Sequence, residues 1–221
     1  MNWTHYLMPL LRGAEVTAAI AVASTALGAA FAFAAGIARV AGGPVLSVVA
    51  QVYIEIFRGT SLLVQLFWLY YALPLVGISF GPVVTGIAGL ALNIGAYGAE
   101  VVRGALKSVP DAQHEAARAL NFSRGYTLLH VALPQAVVEM MPAFGNLAVQ
   151  NLKDTALVSL ISISDLTFRA QQLRNLTLDS MRIYFLTLLG YFAMALVVSA
   201  FMRWLEKKLR RGAAFPRGAH G

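Results

Sequence analysis

Val109-Pro-Asp-Ala-Gln-His-Glu-Ala-Ala-Arg-Ala-Leu-Asn-Phe-Ser-Arg-Gly-Tyr-Thr-Leu-Leu-His-Val-Ala-Leu-Pro134 is a polar island in an apolar chain. Pro110 and Asp111 suit the start of a short helix, Pro by its fixed φ and Asp as an acceptor for the unpaired amides of the first turn. Ala112, Ala116, Ala117, Ala119 and Leu120 favour helix, and Asn121 is a left-handed terminator. Ser123 caps a second short helix carrying Tyr126, Leu129 and Val131, and Pro134 opens the next element. The stretch therefore predicts two short helices with a small-residue face and a tight turn, Phe122 lying at the turn. Such a unit serves either as a rigid protrusion that another protein grips or as a link lying on a membrane surface.

Long apolar runs flank it. A helix needs about 20 mostly apolar residues to cross hydrocarbon. Ala14 to Ile37, Ser61 to Phe80, Val83 to Ala99 and Ile183 to Trp204 meet that length, and a fifth run, Leu133 to about Asn151, ends at Lys153-Asp154. Thr155 to Ile163 is too short to span and reads as a re-entrant or surface segment. The expectation is an all-α integral membrane protein with five transmembrane helices, six being the alternative. Basic residues decide between them. With the C-terminus inside, the inner side holds Arg39, Arg103, Lys107, Arg118, Arg124, Arg203, Lys207, Lys208, Arg210, Arg211 and Arg217. The outer side holds Arg12, Arg169, Arg174 and Arg182. That imbalance places the N-terminus outside and the polar island in the cytoplasm, which an odd number of spans satisfies. Gly28, Ala29, Ala30, Gly86, Gly89 and Gly95, dense in the first and third spans, permit close helix packing.

Composition agrees. Of 221 residues 58% are apolar and 12% charged, about half the charge of a soluble domain. The formal net charge is +7, and its placement beside apolar runs favours anionic lipid over nucleic acid. With no cysteine, disulfides and thiolate metal sites are excluded. His5, His114, His130 and His220 are scattered without metal-ligand spacing. The first apolar run lacks a clear cleavage site and reads as a retained span. One membrane domain over 1–211 is expected, with 212–221 as a disordered tail.

The segment Glu115-Ala116-Ala117, with Asn121 four residues on and Val131-Ala-Leu-Pro-Gln-Ala136 closing it, resembles the EAA loop of ABC importer permeases. Glu55-Ile-Phe-Arg-Gly-Thr-Ser-Leu-Leu-Val-Gln-Leu66, Ala96-Tyr-Gly-Ala-Glu-Val-Val-Arg-Gly104 and Lys153-Asp-Thr-Ala-Leu-Val-Ser-Leu160 resemble, in order, further signatures of the polar amino acid uptake permeases. Within these, Gly95 to Leu106 and Ser164 to Arg174 are most similar to ectoine/hydroxyectoine-type permease subunits. One departure is Asn121, where the family loop usually has Gly; Asn is the next residue best suited to a left-handed turn. The resemblance implies a MetI-like permease fold in the bacterial inner membrane. It also implies a second permease subunit (a copy or a paralogue), ATPase subunits docked on the loops and an external substrate-binding protein. No Gly-x-x-x-x-Gly-Lys-Ser/Thr loop is present, so ATP and Mg belong to the partner ATPase and this chain is expected to bind no cofactor and catalyse nothing.

The resemblance assigns Glu115, Ala116, Ala117, Leu120, Asn121, Phe122 and Pro134 to ATPase coupling; without it, Glu115 merely complements the helix dipole. Glu55 with Arg58 and Glu100 with Arg103 are three apart, on one helix face, as snorkelling ion pairs or as braces of an inner gate. Lys153 and Asp154 beside an apolar segment each need a partner or a wet cavity; a zwitterion offers both charges, while an outer-interface loop is the plainer reading. Gln65, Asn93 and Tyr97 either contact substrate or join helices. Phe67, Trp68, Tyr70 and Tyr71 anchor the interface or cage a cation. The expected activity is ATP-powered uptake of amino acids or zwitterions such as ectoine by alternating access. A secondary carrier or channel without an ATPase, and an intramembrane enzyme, are the rivals.

Overall fold

The structure is a computed structural model and describes residues 4–212, so Arg217, His220 and all but the first residue of the expected tail lie outside the described residues. The chain is all helical: α1 (Thr4–Ala41), α2 (Pro44–Gly59), α3 (Leu62–Phe67), α4 (Pro82–Lys107), α5 (Asp111–Ala119), α6 (Arg124–Thr127), α7 (Leu133–Asp154), α8 (Leu166–Thr177) and α9 (Ser180–Gly212). Gly212, expected in the tail, ends α9.

Four helical stretches among the described residues are long and apolar enough to cross a bilayer, and a fifth results if α2 and the helix after it, bent by 105°, form one broken span. This corrects the expected straight span over Ser61 to Phe80. After α3 the chain loosens into a π turn at Trp68–Ala72 and a 3₁₀ turn at Leu73–Val76, ended by left-handed Gly77. The apolar partner of α3 is α2, whose length the sequence reading missed because Gln51, Glu55 and Arg58 interrupt it. Helix α4 starts at Pro82, where the missing N–H would have been unpaired anyway, and runs eight residues past the expected Ala99.

Helix α1 packs chiefly on α4. Their approach requires glycine: a Cβ on Gly36 would lie 2.6 Å from Val102 Cβ, and one on Gly95 would lie 2.8 Å from Phe31 Cβ. In lipid there is no hydrophobic drive between helices, so such close packing is what holds them together. One core cluster joins Ala32, Val102, Leu106, Ala132, Ala136 and Met140, another joins Ile20, Leu66, Leu90, Val158, Ile161 and Ile163. The short segment Thr155–Ile161 is a 3₁₀ helix whose Thr155, Val158, Ser159 and Ile161 are buried. It is folded into the bundle and is no surface segment, because Val158 and Ile161 close the second cluster. Helix α9 stands at the periphery with Phe185, Leu188, Phe192, Val197 and Phe201 exposed, the face expected of a helix toward acyl chains.

Candidate functional site

The break between α2 and α3 leaves the last carbonyls of α2 without helical partners, which inside a membrane must be satisfied locally. Thr60 Oγ1 donates to Ile56 O (2.7 Å). Gln65 Nε2 donates to Phe57 O (2.9 Å) and Thr60 Oγ1 (2.7 Å). Asn93, from α4, donates to Phe57 O (3.0 Å) and to Gln65 Oε1 (3.2 Å). Both amides are buried. They join helices here and hold the chain bent.

Beside this brace lies a cavity of about 420 Å³, lined by Thr60, Ser61, Leu62, Asn93, Ile94, Tyr97, Leu147, Gln150, Asn151 and Asp154. That is within the ~300–1,000 Å³ usual for small-molecule sites. The walls come from the α2–α3 break, mid-α4 and the last two turns of α7. Asp154 is the one acidic side chain in the wall, is half-buried, and accepts from Gln150 Nε2 at 2.9 Å. Asn151 is anchored from behind: its Nδ2 donates to Ser24 Oγ (2.7 Å) and Thr25 Oγ1 (2.9 Å) of α1. Arg58 lies outside the wall with its guanidinium 5.3 Å from the centre of the Tyr97 ring. The structure thus brings together Asn93, Tyr97 and Asp154, with Gln65 one hydrogen bond behind. It does not bring Lys153, which is exposed and absent from the wall. Neighbouring helix positions diverge by about 100°, so one of the two had to turn away.

The polar loop folds as two short helices. Asn121 has φ 59°, the left-handed conformation expected of it, and Asn121 N and Phe122 N donate to Arg118 O and Ala117 O. Ser123 Oγ accepts from Tyr126 N at 3.2 Å, capping α6 as expected. At the head of α5 the roles shift by one residue: Pro110 is the flanking residue and Asp111 the first helical one, because Asp111 complements the first turn by charge without bonding its amides. Glu115, Ala116, Leu120 and Phe122 are exposed. Ala117, expected beside Ala116 on a contact face, is 3% exposed. Consecutive positions cannot share a helix face, and Ala117 is the one turned inward, on the helix that packs on the π turn Leu128–Ala132. Pro134 falls in the first turn of α7, continuing a π turn over Leu128–Ala132.

Glu100 and Arg103 make the expected ion pair at 2.6 Å. Glu55 and Arg58 do not pair: Glu55 accepts from Gln51 at 2.6 Å and Arg58 stacks on Tyr97. Both lie in the last two turns of α2, before the bend. Phe67, Tyr70 and Tyr71 meet in edge or tilted contacts, Trp68 is exposed, and none of the four lines the cavity. This fits anchoring over caging. Among the described residues no group of three or more His, Cys, Asp or Glu converges as metal ligands would.

Three contributors escaped the sequence reading. Asn151 and Gln150 stand within one turn before the flagged Lys153-Asp154, and the i, i+4 spacing of Gln150 and Asp154 was a usable signal. Asp165 is fully buried and caps α8, accepting from Phe168 N (2.9 Å) and Tyr191 Oη (3.2 Å). Burial pushes its carboxyl up to about 6 against those hydrogen bonds. Its N-cap pattern was legible; its depth was not.

Residues 24–211 match the family model described as "Binding-protein-dependent transport system inner membrane component". The chain is 54% identical over 217 residues, 96% of this chain and 91% of the relative, to a probable amino-acid ABC transporter permease protein, y4tF, of Sinorhizobium fredii. It is 34% identical over 203 residues to the glutamine transport system permease protein GlnP of Escherichia coli, covering 91% and 93% of the two chains. Its structure superposes with a TM-score of 0.85, at 30% identity and 93% and 96% coverage, on a chain from an amino acid ABC transporter crystallised with histidines. A chain of the MetNI methionine ABC transporter gives a TM-score of 0.80 at 18% identity, covering 95% and 99% of the two chains, a likeness of fold.

Proposed function

Because the chain belongs to the family of binding-protein-dependent transport system inner membrane components, with the MetI-like fold and a multi-pass place in the bacterial inner membrane, we propose that it moves amino acids through the cavity between Thr60, Asn93 and Asp154. It is a permease subunit of an ABC importer for amino-acid-type substrates. The observation that carries the site is the lone half-buried carboxylate of Asp154 in a wall otherwise built of amides, hydroxyls, Tyr97 and apolar side chains. A carboxylate in that setting selects an ammonium group, and Asn93, Gln150 and Thr60 supply neutral donors and acceptors for the rest of an amino acid. The Arg58 guanidinium, stacked on the Tyr97 ring, offers a cationic counterpart for a substrate carboxylate. Lys153 is left out of this contact set.

ATP is hydrolysed by a separate subunit. Its stroke enters through α5, where Glu115, Ala116, Leu120 and Phe122 face outward, and α5 moves as one body with the bundle because Ala117 is buried under it. α4 and α7, joined by the loop, carry the cavity walls, so a displacement of α5 changes the aperture between Tyr97 and Asp154. The two states are biased by nucleotide at the loop and by the loaded binding protein on the far side. Glu100 with Arg103 braces α4 toward the loop. A second permease subunit completes the path. An ectoine-like zwitterion is the narrower substrate reading, supported by the runs Gly95 to Leu106 and Ser164 to Arg174; calorimetry of the cognate binding protein against glutamine and ectoine separates the two.

The site is tested by uptake into vesicles bearing the assembled importer. Asp154→Asn should lower uptake by about tenfold or more, the scale of a lost charge-assisted contact, with ATPase co-purification unchanged. Lys153→Ala should leave uptake near wild type. Full transport by Asp154→Asn, or uptake by a preparation free of ATPase, overturns this reading in favour of another path or of a carrier.

A further inference from the structure

A second cavity, of about 490 Å³, lies where α1 ends, between Val40, Ala41 and Gly42 and the loop residues His114, Arg118, Phe122, Arg124, Gly125, Thr127 and Leu128. Two arginines and a histidine contribute to its wall, and no carboxylate does. Among the described residues neither Arg118 nor Arg124 is in an ion pair. Arg118 Nε has only a long hydrogen bond to His114 O (3.4 Å), which leaves its terminal nitrogens open. The other side is apolar: Val40 and Phe122 are each 39% exposed, and α2, beginning two residues after Gly42, exposes Val45, Leu46, Val48 and Val49. One end of the cavity thus offers forked donors for an anion and the other offers a surface for hydrocarbon.

From this we propose that the cavity binds the phosphate headgroup of an anionic phospholipid of the cytoplasmic leaflet, with its acyl chains along the start of α2. Guanidinium forks match phosphate oxygens in pairs, and basic pockets at the cytoplasmic ends of spans are the usual setting for such headgroups. The lipid is tied to α1 on one wall and to α5 and α6 on the other, so its headgroup pins the loop to the first span. The inference rests on the cytoplasmic placement of the loop proposed above, and not on the substrate cavity.

The test is native mass spectrometry of the full chain in detergent, titrated in turn with dioleoyl phosphatidylglycerol, with dioleoyl phosphatidylcholine and with inorganic phosphate. Phosphatidylglycerol should be retained about tenfold more than phosphatidylcholine. Arg118→Gln with Arg124→Gln should abolish the preference, Arg118→Lys with Arg124→Lys should keep most of it, and Lys207→Gln should not change it. Equal retention of both lipids, or a preference that survives the double glutamine variant, overturns the proposal. Release of phosphatidylglycerol by millimolar inorganic phosphate overturns the lipid source and assigns a free anion. Loss of ATPase co-purification in the double glutamine variant, with lipid retention unchanged, gives the arginines to the protein partner. Labelling of Gln113→Cys from each side of sealed vesicles reports the orientation separately: labelling from outside sinks the topology even where the lipid preference holds.

Discussion

At the scale of single residues, the polar groups of this bundle matter because the bilayer offers no water to replace a lost partner. Gln65 donates to Phe57 O and Thr60 and accepts from Asn93. Replacing it by Leu removes the donor to Thr60 and one of the two donors to Phe57 O, leaving Asn93 to hold that carbonyl alone, and should destabilise the chain by about 1–3 kcal/mol, read as a lower midpoint of thermal unfolding in detergent. Gln65→Glu should be worse, since its carboxylate faces the carbonyl of Phe57. Asp165 carries a pH dependence. Burial raises its folded pKa to about 6, above an unfolded value of ~3.9. The folded state therefore binds the proton more tightly. The corresponding stabilisation is complete below pH ~4, declines as pH rises from ~4 to ~6, and is flat above that. The midpoint of thermal unfolding should fall across that window, and Asp165→Asn, which still caps α8, should flatten the fall.

At the scale of elements, the loop shows how a small-residue helix divides its labour. Ala117 is buried and Ala116 exposed, so a tryptophan at each has a different consequence. Ala116→Trp should release the ATPase while the permease purifies normally. Ala117→Trp should lower the yield of folded chain itself, since the ring has no space under α5. Gel filtration with and without the partner distinguishes them. Asn121, at φ 59°, tolerates Gly, whereas a β-branched residue is strained there by about 1–2 kcal/mol. Asn121→Gly should keep ATPase binding and Asn121→Val should weaken it. The 105° break after α2 is the other consequential element. It trades helical continuity for a cavity wall, and is stable because Thr60, Gln65 and Asn93 take up the carbonyls that the bend frees.

At the scale of the whole molecule, α1 and α4 form the spine on which the rest is hung. Gly36→Leu should prevent their approach, because even a Cβ there falls 2.6 Å from Val102 Cβ; the expected result is aggregation in mild detergent. The chain has no cysteine, so single cysteines map its topology cleanly: Gln113→Cys should label from the cytoplasm and Asn175→Cys from outside. What was legible without a structure depended on neighbours within one or two helical turns. The apolar runs, the basic imbalance, the Ser123 cap, the left-handed Asn121 and the Glu100–Arg103 pair all follow from spacings of four residues or fewer, or from local composition. The substrate cavity does not. Asn93 meets Gln65 across 28 positions and Asn151 meets Ser24 across 127, and such meetings are set by how glycine-bearing faces let whole helices approach. The same packing turned Ala117 inward, left Lys153 outside the wall and parted Glu55 from Arg58. Sequence alone determined that the chain is a set of helices in lipid and how the two short helices of the loop are capped and turned. The tertiary structure decided which of their polar side chains share a space, because in a bilayer that choice is made by shape and by the demand that every freed backbone carbonyl find a donor.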